Sequence, residues 1–359
     1  MKKLLALVLA LMLALAVVAC ASPSAPAQPG DAPAVQTPAE APPAAPADTA
    51  EKVYNIALIP KDATQPWFQR MNIGVKQFAD DTGHNAFFKG PESFDAALQA
   101  QVVDDLVAQG VDAIVICPID PGAVEPALKR AREAGIVVIG HEGSSVENLD
   151  YDIEAFSNQQ YGAFIMDNLA DAMGEEGTYV QFVSYFTTSS HQEWADAGLA
   201  RQQEAYPNMH VLEAEPRVEV EGSAEIAYQK AKEILKKYPE VKGFFGCGSR
   251  DAPGAARAIE ELGLQGKVFA SGTGMPNENA AVLKRGTIKA LTLWDPARAG
   301  YAGLELAVKV LNGEEIAEGI DLTPDGYQDL TWSTKYPGKV LQGTGWLTVT
   351  AENVDGFGF

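Results

Sequence analysis

Apolar residues fall along this chain in two alternating rhythms: short unbroken runs, and longer stretches at helical spacing. Segment 101–143 shows both. Leu98, Val102, Leu106 and Val107 recur at helical spacing, which predicts a helix, and Gly110 stands where a left-handed C-terminal cap is wanted. Residues 113–117 form a continuous apolar run, too short for a helix and lacking the alternation of a half-wet strand. Such a strand is expected to be buried on both faces, as in a parallel sheet. Asp120-Pro121-Gly122 opens a second helix through Val124, Leu128 and Ala131, Gly135 closes it, and 136–139 is the next buried strand. Ligands of open parallel sheets sit beyond the carboxyl ends of the strands. Here those ends carry Pro118-Ile119-Asp120 and His141-Glu142-Gly143.

The rhythm extends in both directions. Strands are expected over 53–59 and 85–89, and 150–156 is extended. After a helix over 158–173 the pattern starts again, with strands over 178–183, 210–213, 243–246, 268–271 and 288–294. A polar loop over 184–192 precedes a helix from Glu193, further helices span 224–237, 253–262, 280–285 and 299–311, and a last strand falls near 346–350. Two consecutive sets of alternating strands and helices give the fold class: α/β, two doubly wound parallel-sheet lobes with a cleft between their carboxyl edges. The loop leaving the first strand carries Trp67 and Phe68, which suit an apolar ring face.

The N-terminus changes the picture. Met1-Lys2-Lys3 followed by an apolar stretch to Ala19 has the form of a secretory signal, and it is short for a membrane span. Val17-Val18-Ala19-Cys20 resembles the bacterial lipobox, so 1–19 is expected to be removed and Cys20 to carry lipid. Residues 20–51 are rich in Ala and Pro and cannot build a core, as suits a tether. Cys117 and Cys247 each follow an apolar strand and are expected as two separate half-buried thiols.

With 27 basic and 48 acidic side chains the formal charge is -21, which repels nucleic acid and anionic membrane surfaces. A GxSxG elbow, a P-loop, an HExxH motif and a dinucleotide fingerprint are all lacking, and no Cys/His cluster suggests a metal. His141 with Glu142, or His191 with Glu193, could be drawn as acid–base pairs, but the polar lining of a binding site explains them more simply. No enzyme activity, cofactor or metal is expected.

Several segments carry a family resemblance: Ile56-Ala57-Leu58-Ile59-Pro60-Lys61, Pro126-Ala127-Leu128-Lys129-Arg130-Ala131, Gly286-Thr287-Ile288 with Leu293-Trp294-Asp295-Pro296, and Glu352-Asn353-Val354. In this order they resemble the type I periplasmic sugar-binding proteins of ABC importers, in the ribose-type branch. Within it they are most similar to the rhamnose-binding and autoinducer-2-binding subgroup. The resemblance covers 52–359. It implies a monomer that delivers a sugar to an ABC permease, held at the membrane by its lipid alone and lying outside the cytoplasm.

The resemblance also implies site residues. The aromatic loop that stacks on the sugar maps to Trp67 and Phe68, with Gln65 beside them. The acid after the fourth strand maps to Glu142, with room for ligand left by Gly140 and Gly143, and the lysine after the first strand maps to Lys61. Contacts from the second lobe map to His191, Glu193, Ser249, Asp251, Thr273, Trp294 and Asp295. Where autoinducer-2 receptors carry Asp-Gln this chain has Ser190-His191, and where they carry Pro-x-Ala it has Cys247-Gly248-Ser249, which favours a monosaccharide, deoxy or pentose, over the furanone. An autoinducer-2 receptor, a nucleoside binder and a sensory module feeding a kinase stay open as alternatives. The hinge implied by the family crosses near 154–158, 294–296 and 321–325. That assigns 52–155 and 295–322 to the N-terminal lobe, and 156–294 and 323–359 to the C-terminal lobe.

Overall fold

A computed structural model of the protein describes residues 52–359. The expected signal peptide, the lipidation site Cys20 and the tether lie outside the described residues. The first half runs β1 (Asn55–Ile59), α1 (Pro66–Thr82), β2 (Asn85–Phe88), α2 (Ala96–Gln109), β3 (Ala113–Ile116), α3 (Pro121–Glu133), β4 (Val137–Gly140) and β5 (Tyr151–Glu154). The second runs α4 (Asn158–Met173), β6 (Gly177–Val183), α5 (Ser189–Ala205), β7 (Met209–Val211), β8 (Arg217–Glu219), α6 (Ala224–Lys237), β9 (Val241–Gly246), α7 (Asp251–Glu261), β10 (Phe269–Thr273), α8 (Pro276–Arg285) and β11 (Ile288–Trp294). The chain closes with α9 (Pro296–Leu311) and the strands β12 (Thr331–Trp332), β13 (Val340–Gln342) and β14 (Trp346–Thr350).

Two sheets result. One has the order β12-β13-β5-β4-β3-β1-β2, the other β14-β11-β10-β9-β6-β7 with β8 beside β6. Pairing is parallel throughout both cores, and the antiparallel pairs are β12 with β13 and β11 with β14. Every residue of β3 is buried, as helices on both faces require. Asp120 caps α3 by accepting a hydrogen bond from the Ala123 N–H, with Pro121 beginning the helix. Glycine lets the outer helices touch: a Cβ on Gly74 of α1 would stand 1.9 Å from the Ala297 carbonyl of α9, and one on Gly162 of α4 would stand 2.2 Å from that of Trp194 on α5. Among the described residues no helix is long and apolar enough to cross a membrane.

Two expectations are corrected. Helix α2 is rotated from its expected face, burying Gln99, Val103 and Leu106 while Leu98 is 44% exposed. The cause is Gln99, whose amide serves three strand-end backbone groups. It donates to the Pro60 and Cys117 carbonyls (2.9 and 2.8 Å) and accepts from the Ile119 N–H (2.9 Å), so a polar side chain holds the inward position. The second correction concerns the tail. β13 pairs with β5, so the strands within 331–342 belong to the first sheet and not to the second lobe, as the boundary at 323 implied. Only β14 joins the second sheet, and the last crossing falls at 343–345. There the Gly343 and Gly345 N–H groups bond the carbonyls of Glu154 (3.0 Å) and Ala155 (2.7 Å), so two crossing strands run side by side.

Candidate functional site

The carboxyl ends of both sheets face a cavity between the lobes. Ten of the twelve expected site residues line it. Lys61, Gln65, Trp67, Phe68 and Glu142 come from the first lobe, and His191, Ser249, Asp251, Thr273 and Trp294 from the second. Glu193 and Asp295 lie elsewhere. Asp295 caps α9 through the Ala297 N–H and takes both Nε and Nη2 of Arg70 (2.9 and 2.7 Å), so its oxygens are committed to structure. Glu193 sits on the far side of α5 and bonds residues of the first lobe (Ser144 and, at the β12–β13 turn, Lys335 and Tyr336).

At the floor of the cavity Lys61 and Glu142 form an ion pair, Nζ to Oε2 at 2.6 Å, with the side chains only 3% and 4% exposed. Lys61 follows β1 and Glu142 follows β4, so strand ends bring together two charges far apart in sequence. Ser190, on the first turn of α5, reaches across the cleft and donates to the same Oε2 at 3.0 Å. Burial alone would raise the Glu142 carboxyl, but Lys61, with His141 and His191 behind it, holds it down at about 2. Burial likewise opposes the charge on Lys61, yet Glu142 outweighs it and the ammonium titrates above its ordinary range. The pair is ionised and the two charges cancel. Glu142 is also one of the few non-glycine residues with positive φ, at 58°. The neighbouring glycines do not make room for ligand as expected: a Cβ on Gly140 would meet Asp152 Oδ1 at 2.3 Å, and the Gly143 N–H donates to that oxygen at 3.0 Å.

An aromatic wall stands beside the pair. Trp67 packs edge-on against Trp294 (centroids 4.7 Å apart), and Trp294 also meets Trp194 at 5.7 Å. His141 Nδ1 bonds the Ile153 carbonyl (2.8 Å), so it is the protonated nitrogen, and Nε2 accepts from the Trp294 indole at 3.2 Å. One ring of the first lobe thereby orients a tryptophan of the second. Tyr161 donates its single proton to the Thr292 carbonyl (2.8 Å), so the Thr273 hydroxyl at 2.8 Å must donate to Tyr161 and keeps its lone pairs for the cavity. Asp251 opens α7; its Oδ2 accepts from the Gly248 N–H (2.7 Å), and burial pushes the carboxyl up to about 7 against that bond. Burial and the Lys61 charge push His191 down to about 3, so it is neutral.

The sequence reading missed Phe94, Ser184, Trp194 and Gly222 as cavity residues. Ser184 directly follows β6 and Trp194 lies one turn past His191 on α5. Ser184 was within reach as the residue leaving the strand expected over 178–183, and Trp194 as the residue one turn from His191 once α5 begins at Ser189. Phe94 carries no such signal, since it comes from the β2–α2 connection and reaches the site only because its ring packs on Tyr185 across the cleft. Cys117 and Cys247 are free thiols, as expected, but fully buried.

Two parallel-sheet lobes, three crossings and a polar cavity between strand ends define a two-lobe solute receptor of the type I periplasmic binding protein fold. The periplasmic binding protein domain model matches residues 56–315, and the chain belongs to that family. It is 26% identical over 261 residues to the ribose import binding protein RbsB of Salmonella typhimurium, spanning 73% of this chain and 86% of that one. It is 24% identical over 290 residues to the D-ribose/D-allose-binding protein of Pseudomonas aeruginosa, spanning 77% and 89%. Among solved structures it is similar to LsrB from Clostridium saccharobutylicum in complex with AI-2, with TM-score 0.78, 22% identity, and coverage of 85% and 100%. A solute-binding protein from Clostridium phytofermentas with bound L-rhamnose gives TM-score 0.77 at 21% identity, covering 84% and 97%.

Proposed function

We propose that the protein is an extracytoplasmic receptor that captures a neutral monosaccharide, a rhamnose-like or pentose sugar, and delivers it unaltered to an ABC permease, tethered by lipid at Cys20. The observation that carries this reading is the ionic state of the cavity. The two buried charges at its floor, Lys61 and Glu142, are already paired at 2.6 Å, and His191 is neutral, while the half-buried Arg250 also lines the cavity. Breaking that pair to recruit an ionic ligand would strand the other charge at the buried floor of the cavity. What it offers instead is hydrogen-bonding groups on both walls beside the rings of Trp67 and Phe68, which is the chemistry a polyol with one apolar face requires. The sugars in the names of the relatives agree with it.

The test is a thermal-shift screen of the mature chain against D-ribose, D-allose, D-arabinose, L-rhamnose, nucleosides and the AI-2 furanone. A ligand at a hundred times its dissociation constant adds about 2.7 kcal/mol of stability. Stabilisation by a sugar supports the reading. Stabilisation by the furanone or a nucleoside alone overturns it, as does recovery of a chemically altered sugar.

A further inference from the structure

Two carboxyl groups of the first lobe stand outside the cavity and are buried together. Asp152 and Glu154 lie two apart on β5, so both leave the same face of the sheet, and both are wholly buried. Asp152 Oδ1 accepts from the Gly143 N–H at 3.0 Å and Oδ2 has no donor among the described residues, while Glu154 Oε1 accepts from Asn158 Nδ2 at 3.2 Å. The two carboxyls are within hydrogen-bonding reach of each other. Two carboxylates cannot bond; a carboxylate and a carboxylic acid can. The cations of this region are committed elsewhere: Lys61 to Glu142, Lys335 to Glu193 (both 2.6 Å) and Lys339 to the Val146 and Glu147 carbonyls. A dry carboxyl pair with no cation of its own does not carry two charges, so a proton stays between them.

The pair sits against the hinge. β5 runs directly into the first crossing, and Asn158, which opens α4 beyond it, holds both sides. Its Nδ2 donates to Glu154 and, at 2.8 Å, to Glu193 Oε2, and its Oδ1 accepts from the Trp194 indole of α5 at 2.7 Å. Glu193 in turn bonds Ser144, Lys335 and Tyr336 of the first lobe, so a continuous polar chain leads from the pair to α5 and back. Glu142 beyond β4 and Glu193 on α5 set negative charge against the pair. His141, Cys117 and Tyr327, which follow β4, follow β3 and precede β12, are neutral, because burial lowers the imidazole and raises the thiol and the phenol. On α9, Arg298 is paired with Asp325 (3.0 Å), and Asp295, which caps that helix, with Arg70. We propose that Asp152 and Glu154 are a proton-sharing hinge pair, so that closure of the lobes, and with it capture of the ligand, takes up a proton that the open form releases. A second charge on the pair would stand against Glu142 and Glu193, and parting the lobes relieves this by carrying Glu193 away and admitting water. Burial pushes the Asp152 carboxyl up to about 7 from an ordinary 3.8, and the Glu154 carboxyl well above its ordinary 4.5. Above the ordinary values and below the raised ones, the closed form holds a proton that a hydrated open form has lost, so ligand affinity falls as pH rises through that window.

This regulation rests on the sugar-binding reading for its ligand and acts on that same cavity from the hinge. Titration calorimetry of the full-length protein with D-ribose, D-allose, D-arabinose and L-rhamnose, across about pH 5 to 9 in buffers of different ionisation enthalpy, tests it. The wild type should take up protons on binding and lose on the order of tenfold in affinity from the low end of the range to the high end. Asp152→Asn and Glu154→Gln each keep the shape of the pair, place an amide donor where the shared proton stood and leave one fixed charge. Both should take up fewer protons than the wild type and keep, at high pH, the affinity that the wild type has only at low pH. Asp251, raised by burial in the second lobe, is present in all three proteins and drops out of the comparison. A merely structural pair would instead weaken binding in the variants equally at every pH. Thermal melting checks that each variant folds, and either variant decides. Proton uptake in a folded variant equal to that of the wild type, or a wild-type affinity flat across the range, overturns the proposal. If no sugar of the panel binds, the sugar reading falls, and small-angle scattering of the unliganded chains decides the hinge pair by itself: a radius of gyration that grows with pH in the wild type but not in the variants supports it, and an equal response overturns it.

Discussion

At the scale of the residue, the buried Lys61–Glu142 pair dominates the energetics of the site. Replacing Glu142 with Gln strands the ammonium in a cavity where both side chains are almost wholly buried. Breaking a buried pair in this way costs about 3–5 kcal/mol, so urea unfolding should show a loss of that order and sugar affinity should fall with it. Lys61→Met/Glu142→Gln should recover much of the stability but not the affinity. An undiminished unfolding free energy in the single variant would mean that the pair is not formed. Titration supplies a second expectation. Asp251 is raised to about 7 by burial from an ordinary value of 3.8, so between these values the folded chain binds a proton that the unfolded chain has released. The contribution of Asp251 to the stability of the unliganded protein should therefore decrease as pH rises through that window and then level off, whereas that of His191, lowered to about 3 from an ordinary 6.5, rises with pH between those two values. Buried Asp152 is raised in the same direction as Asp251 and adds to its slope. Glu142 acts oppositely: its contribution is full above its ordinary value of 4.5 and fades as pH falls toward about 2. Urea midpoints for wild type and Asp251→Asn across about pH 4 to 8 check this: the wild-type midpoint should fall relative to that of the variant as pH rises.

At the scale of the element, helix faces and lobe contacts decide. Leu106 and Leu98 lie on the same helix α2, yet one is fully buried and the other 44% exposed. Leu106→Ala should cost about 2–5 kcal/mol, whereas Leu98→Ala should stay within about 0.5 kcal/mol. Equal losses would restore the face expected from spacing. Glu193, removed from the cavity by the structure, has a different use. From α5 it accepts from Asn158 (2.8 Å) and Ser144 (3.2 Å) through one oxygen, and from Lys335 (2.6 Å) and Tyr336 (3.1 Å) through the other. Three of these partners are in or beside the first sheet and the fourth, Asn158, is at a crossing, so the carboxylate ties the lobes together next to the hinge. Glu193→Ala should shift the unliganded protein toward an open form, with a larger radius of gyration by small-angle scattering and an apparent sugar affinity several-fold weaker. An unchanged radius and affinity would make the contact incidental.

At the scale of the molecule, the two lobes meet through the cleft as well as the hinge: Thr188 donates to the Ile119 carbonyl at 3.0 Å and Ser190 to Glu142 at 3.0 Å. Closure of this kind couples capture to recognition by a permease, and lipid at Cys20 would keep the receptor beside it. Cys20→Ser should release the protein from membranes, which fractionation reads directly; unchanged retention would rule out the anchor. Much of this architecture was written locally. Wholly apolar runs such as 113–116, with Pro and Gly at helix ends, determine a parallel α/β chain because a strand buried on both faces cannot tolerate polar positions. The order of strand ends likewise brought Glu142 and the loop of Trp67 to the edge where such sheets place their ligands, while Lys61 and Asp251 were named by the family resemblance. Other features depend on distant partners. Gln99 is inward because three backbone groups need it, β13 joins the first sheet because β5 has a free edge, and Glu193 leaves the cavity because residues 142 positions onward claim its carboxylate. Spacing along a chain encodes which residues share a face; which oxygen is satisfied, and by whom, is decided only when the lobes close on each other.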